Sequence, residues 1–324
     1  MFDSADLGLP RAAVLMTLHR SDSIEYFETA LRSVESQRGT GGIHIYLACD
    51  GPLSAEQTIW LELNRHRFFI VRQNTSCVGL ARSLNVLIDL LGEEEFVFRM
   101  DADDISLPNR FATQIAYLRA HPDVGLVGCQ VQDIDEAGAV CGQRSYPLTP
   151  SEARASLTRL IPLLHPTFCF RRALLKDQRL RYPDAYLTED LAFLVRLSEL
   201  GVEMANVPQT LFSWRVGAGF FKRRTSLRRG LQECKWYARA VFNQQGMLSL
   251  SYIYPLLRLF MRILPSGVLR VLYQSGLRAS VAKSVGRRSE VNDQACGADA
   301  VRFDPVHSRP AVLRLAKTGI SREL

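Results

Sequence analysis

The regular alternation of short apolar runs with amphipathic stretches constrains the fold of this chain more than any other feature. Buried strands are predicted at residues 12–16, 44–49, 68–72, 95–100 and 124–129. Helices are predicted between them, where apolar residues recur every three or four positions, at residues 24–36, 54–65, 79–91 and 108–120. Because strands that alternate with helices pair through crossovers, the pattern predicts the α/β class, with a mostly parallel sheet flanked by helices.

Polar residues directly follow three of the predicted strands. Thr17 follows the first strand, Asp50 follows the second, and residues 101–104 (Asp-Ala-Asp-Asp) follow the fourth. In doubly wound sheets, ligands bind beyond the carboxyl ends of the strands. These residues therefore mark a candidate ligand site.

The acidic residues 101–104 are candidates for a metal site. Asp101 and Asp103 are two positions apart, so in an extended segment both side chains point the same way. Mg²⁺ and Mn²⁺ bind carboxylate oxygens and also bridge the oxygens of a diphosphate. The alternative is structural, with Asp103 or Asp104 capping a helix that starts near Pro108.

Positive charge is concentrated in the last third of the chain. The formal net charge is +7, and from Lys222 onward there are 19 Lys and Arg against 6 Asp and Glu. Arg258 and Arg262 are four positions apart, which places them on one helical face with apolar residues elsewhere. Apolar helices edged with arginine suit an anionic membrane surface. The alternative is a helix packed on the rest of the protein with its arginines exposed. No nucleic-acid recognition motif is present, so nucleic acid is not an expected partner.

The amino-terminal residues carry acids where a signal peptide would carry positive charge. No run reaches the roughly 18 uncharged apolar residues that a spanning helix needs. The seven cysteines show neither a Cys-x-x-Cys pair nor a zinc-binding spacing, which favours reduced thiols. We therefore expect the chain to stay in the cytoplasm.

Six segments in a fixed order resemble those of the family 2 glycosyltransferases, which have the GT-A fold. They are residues 14–17, 49–52, 78–85, 99–114, 165–167 and 189–190. The similarity extends over roughly residues 11–240 and is strongest to bacterial exopolysaccharide and lipopolysaccharide enzymes of the amylovoran-biosynthesis type. It implies a Rossmann-like GT-A catalytic domain and transfer of a sugar from a nucleotide-sugar donor.

On the donor side, the resemblance implies four contacts. Thr17 would line the nucleoside pocket, and Asp50 would contact the uracil or ribose of a UDP-sugar. Asp101 would lie near the ribose and the diphosphate. Asp103 would be the metal ligand, for Mn²⁺ or Mg²⁺.

On the acceptor side, the resemblance assigns Asp190 as the general base. A carboxylate opposite the leaving group takes the proton of the attacking hydroxyl in an inverting transfer. Glu189 would position the acceptor, and His165 would contact the acceptor or a phosphate. The residues alone also allow a structural role, because acids in a first helical turn complement the helix dipole and Thr188 would cap the helix. The same dipole would keep Asp190 ionised.

One position departs from the family pattern. Many GT-A enzymes have a further metal-binding histidine where this chain has Gly217. Arg215 and Arg223 are therefore expected to bind the donor diphosphate. The metal would then be held by Asp103, the diphosphate and water. Residues 217–219 are either a loop that closes over the donor or a plain linker.

These expectations define three regions. Residues 1–221 would form the catalytic domain, with a nucleotide-sugar half at about 11–130 and an acceptor half at about 131–221. Residues 222–285 would form a basic amphipathic helical extension, and residues 286–324 a poorly ordered tail.

The leading hypothesis is inverting transfer from a UDP-sugar to a glycan or lipid-linked oligosaccharide acceptor, on the inner face of the cytoplasmic membrane. One alternative is a sugar nucleotidyltransferase, which would normally carry a Gly-rich loop after its first strand; residues 17–20 are not such a loop. Another is a non-catalytic, membrane-bound assembly partner, which would have lost Asp103 or Asp190, and both are present.

Overall fold

The structure is a computed structural model that describes residues 10–216 and 227–263. The strands in these residues are β1 (Ala12–Leu18), β2 (Ile43–Cys49), β3 (Ile70–Gln73), β4 (Phe96–Arg99), β5 (Ile105–Ser106), β6 (Val124–Ile134), β7 (Val140–Arg144), β8 (Cys169–Arg171) and β9 (Glu203–Arg215). The helices are α1 (Ile24–Glu35), α2 (Ala55–Asn64), α3 (Leu80–Asp89), α4 (Arg110–Ala120), α5 (Pro150–Leu157), α6 (Glu189–Glu199), α7 (Leu227–Gln245) and α8 (Ile253–Ile263).

The strands form one mixed sheet in the order β3-β2-β1-β4-β8-β6-β9-β5, with β7 paired to β6. β1 pairs in parallel with β2 and β4, and β2 with β3, so four carboxyl ends lie at one edge of the sheet. β8 runs antiparallel between β4 and β6, which returns β6 and its parallel partner β9 to the direction of β1. The sheet is therefore mainly parallel, which confirms the predicted fold class.

Alternating side chains of the strands fill two cores, one on each face of the sheet. On β1, Val14 and Met16 pack with α1 and α4, whereas Ala13 and Leu15 pack with α3 and α6. The α1–α4 core includes stacked Phe98 and Phe111 rings. Covering both faces explains why β1 is apolar at nearly every position rather than at every second one.

The elements predicted between residues 12 and 129 are found within a few residues of their expected positions. The long strand β9 was not predicted. The pattern of residues 151–221 by itself predicts helix and irregular segments. β9 pairs with β6 through a parallel register that shifts between Cys129 and Val131. Pro208, inside β9, has no amide hydrogen for a ladder and obscured the strand in the sequence.

The basic helix α7 packs on the catalytic part of the molecule. Trp236 and Tyr237 are buried in the core that also contains the apolar face of α6. Glu199 of α6 accepts hydrogen bonds from Arg239 at 2.8 Å and from Asn243 at 2.6 Å. α7 therefore packs on the rest of the protein. No helix in residues 10–216 or 227–263 is long and apolar enough to cross a membrane.

Candidate functional site

The carboxyl end of β2 is organised by Asp50. Its Oδ1 accepts a hydrogen bond from the Val78 amide at 2.8 Å, and its Oδ2 accepts one from the Gly79 amide at 3.0 Å. Gly79 is the N-cap of α3 and has a φ of 91°, a conformation that favours glycine. Asp50 therefore caps α3 from a neighbouring strand. Thr17 lies half-buried on β1 beside Ala48 of β2, at the same edge of the sheet.

The acidic residues 101–104 form the loop between β4 and the two-residue strand β5. Arg99, which is almost fully buried at the end of β4, forms an ion pair with the Asp101 carboxylate. Asp104 is also buried, and its Oδ1 accepts the Arg215 amide hydrogen at 2.8 Å. α4 begins only at Arg110 and has no side-chain cap, so neither Asp103 nor Asp104 serves as its N-cap.

Asp103 is the member of this loop whose side chain faces solvent. Crowding by protein atoms, together with the negative charges of Asp101 and Asp22, raises the pKa of Asp103 to about 6. Asp22 follows β1 and accepts the His19 amide hydrogen at 2.7 Å. Sequence reasoning missed Asp22 because a single acid in a loop carries no motif. The carboxylates of Asp22, Asp101 and Asp103 thus concentrate negative charge in one place, an arrangement that a cation would stabilise.

A buried arginine, Arg110, connects the end of β4 to residues 165–168. Arg110 is fully buried, and its Nη2 donates to the carbonyl oxygens of Arg99 and Pro166, each at 2.9 Å. Its Nε donates to Gln114 Oε1 at 3.0 Å. Burial lowers the pKa of Arg110 to about 10. Arg110 is therefore an internal support that joins the end of β4 to residues 165–168.

The acceptor-side pair lies where it was expected, in the first turn of α6. Burial raises the pKa of Glu189 to about 7 and also raises the pKa of Asp190 above its usual range. The Leu191 amide, which donates to Asp190 Oδ1 at 2.7 Å, and the charge of Arg229 oppose that rise. The expectation that the dipole alone would set the ionisation of Asp190 was therefore incomplete. Thr188 makes no side-chain capping hydrogen bond, so its predicted capping role is wrong.

His165 lies in a short 3₁₀ turn and is 6% exposed. Its Nε2 is 2.9 Å from the Tyr182 hydroxyl. Burial and the charge of Arg99 hold the pKa of His165 well below its usual range, so the ring is neutral. Tyr182 is tied in turn to Asn85 of α3 by two hydrogen bonds through its backbone, at 2.8 and 2.9 Å. His165 thus lies beneath the segment that leads into α6, and the acceptor contact predicted for it stays a prediction.

Arg215, at the end of β9, is 9% exposed and directs its hydrogen bonds to protein groups. Its Nε donates to the Asp103 carbonyl oxygen at 2.8 Å. Its Nη1 donates to the carbonyl oxygens of Asp135 and Glu136, at 2.8 and 3.0 Å. Arg223, the other predicted diphosphate ligand, and the predicted loop at residues 217–219 lie outside the described residues.

The side chains at this site can supply only some of the ligands that a hard divalent cation needs. Within residues 10–216 and 227–263, no three His, Cys, Asp or Glu side chains converge as ligands of one metal ion. The Asp103 carboxylate lies near the carboxylates of Asp101 and Asp22, whose negative charges raise its pKa. Its chemistry fits Mn²⁺ or Mg²⁺, provided that most of the remaining ligands come from the donor diphosphate and water.

These features define an enzyme of the α/β class, with one carboxylate group at the carboxyl end of β4 and a second at the start of α6. The negative charge of Asp101 is among the causes that raise the pKa of Glu189, after burial.

Comparison with known proteins assigns the class. The model of the family described as "Glycosyltransferase like family 2" matches residues 10–235. The amylovoran biosynthesis glycosyltransferase AmsE of Erwinia amylovora is 29% identical over 269 residues, which cover 81% of this chain and 97% of that protein. An Escherichia coli UDP-Gal:alpha-D-GlcNAc-diphosphoundecaprenol beta-1,3-galactosyltransferase is 24% identical over 83% of this chain and 97% of its own length.

Solved structures agree on the fold. The mannosyltransferase PcManGT from Pyrobaculum calidifontis, in complex with GDP-Man and Mn²⁺, superposes with a TM-score of 0.54 at 17% identity, covering 89% of this chain and 84% of that one. Residues 1–349 of S. aureus TarS, in complex with UDP-GlcNAc, superpose with a TM-score of 0.52 at 16% identity, covering 78% and 82%. The chain belongs to glycosyltransferase family 2. It is a glycosyltransferase with the GT-A fold, as the order of its sequence segments had predicted.

Proposed function

We propose that this protein transfers a sugar from a UDP-sugar, with inversion, to a glycan or lipid-linked acceptor in the synthesis of a bacterial surface polysaccharide. The observation that carries the proposal is the pair of carboxylate groups on two sides of one site, the loop at 101–104 and the start of α6. The names of similar proteins support the substrates: one acts in amylovoran biosynthesis, one uses UDP-Gal with a diphosphoundecaprenol-linked acceptor, and one was solved with UDP-GlcNAc.

In this proposal Asp190 is the general base. An acceptor hydroxyl attacks the anomeric carbon while the bond from that carbon to the diphosphate oxygen breaks, and the hydroxyl proton passes to Asp190. Burial makes the ionised form of Asp190 a stronger proton acceptor by raising its pKa. The Leu191 amide and Arg229 stabilise that ionised form. Glu189 positions the acceptor, and His165 lies on the same side.

The departing UDP is held on the donor side. Thr17 and Asp50 line the nucleoside pocket, and Asp101 lies near the ribose and diphosphate. Asp103 holds Mn²⁺ or Mg²⁺, a proposal to which the Mn²⁺ complex of a protein with the same fold lends support. When bound, such an ion neutralises charge that develops on the diphosphate. Since Asp103 alone gives few ligands, we expect weak metal affinity without nucleotide.

The proposed place of action is the cytoplasmic membrane surface. Ile253, Leu256, Leu257 and Phe260 form one stripe on α8, and each is at least half exposed. The opposite side of α8 faces α7, where the Arg258 guanidinium lies 4.8 Å from the Tyr237 ring. An amphipathic helix that packs through its polar side and exposes its apolar side suits the interface of a bilayer. Such a position would bring the enzyme to a lipid-linked acceptor.

The function is tested with a panel of UDP-sugars, each assayed with Mn²⁺, with Mg²⁺ and with EDTA. We expect one or a few donors to raise the unfolding temperature and to release UDP when a lipid-diphosphate-linked sugar acceptor is added. The anomeric configuration of the product, read by NMR, checks inversion. If no UDP-sugar binds but another nucleotide-sugar does, the donor assignment is wrong; a retained configuration would exclude the role of Asp190 as general base.

The membrane proposal has its own test. We expect the full chain to sediment with phosphatidylglycerol-rich vesicles, and the double substitution Leu256→Ser with Phe260→Ser to reduce the bound fraction at least several-fold. Ile59→Ser, at a 60% exposed position on α2, is the matched control and should leave binding unchanged. Equal binding of all three proteins would show that α8 is not the contact surface.

A further inference from the structure

We propose that Arg215 is a positioning residue, which fixes the peptide group that follows the Asp103 Cα and thereby sets the metal affinity of the protein. The inference rests on the proposed function, in which Asp103 is the metal ligand. It replaces the expectation from the sequence that Arg215 acts by binding the donor diphosphate.

The first part of the argument is the contact with the acidic loop. The Arg215 side chain holds the Asp103 carbonyl oxygen through Nε, at 2.8 Å, while the Arg215 amide holds the Asp104 carboxylate, also at 2.8 Å. One residue therefore restrains the Asp103–Asp104 peptide group and the Asp104 side chain. The direction in which the Asp103 carboxylate points depends on that peptide group.

The second part is what the arginine is anchored to. Nη1 donates to the carbonyl oxygens of Asp135 and Glu136, in the turn between β6 and β7. The Tyr26 ring of α1 lies under the guanidinium, 4.1 Å from Cζ. The Tyr26 hydroxyl donates to the same Glu136 carbonyl oxygen at 3.0 Å. Arg215 thus joins the acidic loop to a turn and to a helix that are both at least 79 residues away from Arg215 in the sequence.

The third part is the position of Arg215 relative to the other supports of the loop. After the loop, the two-residue strand β5 pairs with β9, and Ser106 also hydrogen-bonds to Ser33 and Gln37. Before the Asp103 peptide group, Arg99 forms an ion pair with Asp101. The contact of Arg215 is the one that is made to the Asp103 peptide group itself. Arg215 lies two residues beyond the last pairing partner, Ser213, and extends the contact of β9 with the loop. Its positive charge also offsets part of the repulsion around Asp103.

Three of the five guanidinium N–H groups are committed to carbonyl oxygens and one face is covered by Tyr26. Bidentate binding of a phosphate uses two adjacent N–H groups of the fork, and the Nε and Nη1 sides are already occupied. The geometry therefore favours a role in holding the loop over direct contact with the donor.

The test separates metal binding from nucleotide binding. Mn²⁺ affinity is measured by electron paramagnetic resonance of free Mn²⁺ with the protein and saturating UDP, and UDP affinity is measured by calorimetry in EDTA. We expect Arg215→Gln to weaken Mn²⁺ binding at least 10-fold and to change UDP affinity in EDTA less than 2-fold. Hydrogen exchange of the amides at 101–104, in the free protein, should become faster.

Two further variants keep the test decisive if Arg215→Gln fails to fold. Tyr26→Phe keeps the ring but removes its hydroxyl contact, and should weaken Mn²⁺ binding about 2- to 5-fold with faster exchange at 101–104. Arg144→Gln is the matched control. Arg144 pairs with Asp133 at 2.7 Å and lies over the Trp214 ring at 4.2 Å, in the β6–β7 hairpin whose turn Arg215 contacts. Its removal should change neither quantity.

A 10-fold loss of UDP affinity in EDTA with unchanged Mn²⁺ affinity would overturn the proposal and restore a direct donor contact. Unchanged Mn²⁺ affinity and exchange in both Arg215→Gln and Tyr26→Phe would also overturn it. If the wild-type protein binds UDP but Mn²⁺ has no effect on it, the metal part of the proposed function fails instead. The two failures are therefore distinguishable.

Discussion

The two carboxylate groups of the site are supported in opposite ways. In the donor-side loop, the neighbours of Asp103 are Asp101 and Asp22, and their negative charges add to the desolvation that raises its pKa. In the acceptor-side turn, the Leu191 amide and Arg229 act on Asp190 against the desolvation. Around Asp103 the negative charges are offset only in part by Arg215. Asp190 has one acidic neighbour, Glu233, against which the Leu191 amide and Arg229 act.

The backbones of the two regions differ as well. Left-handed turns at the donor side are made by Gly51 and Gly79, with φ of 89° and 91°, at little energetic cost. The acceptor-side turn instead contains Leu187 at φ 53°, the only non-glycine residue with positive φ in the described part of the chain. Strain of this kind is retained where the surrounding structure demands it. Under the proposed function, the comparison predicts that the donor side depends on a metal ion, whereas the locally strained acceptor side does not.

Asp190→Asn should have the largest effect and should act only on transfer. The amide cannot accept the proton of the acceptor hydroxyl, so we expect the transfer rate to fall about 10²- to 10⁴-fold. UDP affinity, measured by calorimetry with and without Mn²⁺, should stay the same. The control is Asp184→Asn, an exposed acid in the same segment. A transfer rate within 3-fold of wild type would remove Asp190 from the mechanism.

Asp103→Asn should affect the donor side of the site, the loop at residues 101–104. The variant loses the carboxylate that would hold the cation, so we expect metal-stimulated transfer to fall about 10²-fold or more. UDP binding in EDTA should be retained, and the unfolding temperature should not decrease, since a repelling charge is removed. Asp123→Asn, at an exposed position after α4, serves as the control. Full metal stimulation of the Asp103 variant would contradict the donor-side assignment.

Glu189→Gln tests, in the protein without substrate, whether burial destabilises the ionised carboxylate of Glu189 in the first turn of α6. The pKa of Glu189 is raised to about 7 in the folded protein, so its favourable contribution is complete below pH 4.5 and is lost as pH rises through 7. We expect the Gln variant to be more stable than wild type by about 1–3 kcal/mol at pH 8, and equal to it at pH 4.

Urea unfolding at the two pH values measures this difference. Glu62→Gln, on the exposed side of α2, should show no such pH dependence. A Glu189→Gln protein that is less stable than wild type at pH 8 would mean that the ionised carboxylate is stabilised in the folded state, contrary to the comparison.

The parts of the fold that sequence predicted are those with local periodicity. β1 to α4 were predicted within a few residues because each buried strand and each amphipathic helix is visible in its own residues. β9 was missed because its pairing with β6 lies some 80 residues away in the sequence and its own pattern is interrupted by Pro208. β5 is only two residues long and has no pattern to detect.

In the site as well, the residues that sequence predicted are those that belong to a local pattern. The acids at 101–104 and 189–190 were found because each is a compact motif at the end of an element. The residues that surround these acids were not predicted. Asp22 acts on Asp103 through space, and the Tyr26 hydroxyl contacts the Glu136 carbonyl oxygen, 110 residues away. Arg110 was visible in the sequence, but its burial among carbonyl oxygens depends on the packing of three segments. Motifs identify the reacting groups, and only the fold identifies the groups that hold them.

The smallest expected effect concerns the strain at Leu187. A residue with a Cβ costs about 1–2 kcal/mol in the left-handed region, and glycine avoids this cost while losing about 0.5–1 kcal/mol through its greater freedom in the unfolded chain. We therefore expect Leu187→Gly to be about 0.5–1 kcal/mol more stable than Leu187→Ala, a difference of roughly 1–3 °C in unfolding temperature.

The same pair of substitutions at Leu160, which is half exposed and does not have a positive φ, provides the control. There the alanine variant should be the more stable, because no left-handed strain offsets the entropy of glycine. If glycine is the less stable variant at both positions, Leu187 stores no strain. The acceptor-side turn would then differ from the donor side in its electrostatics alone.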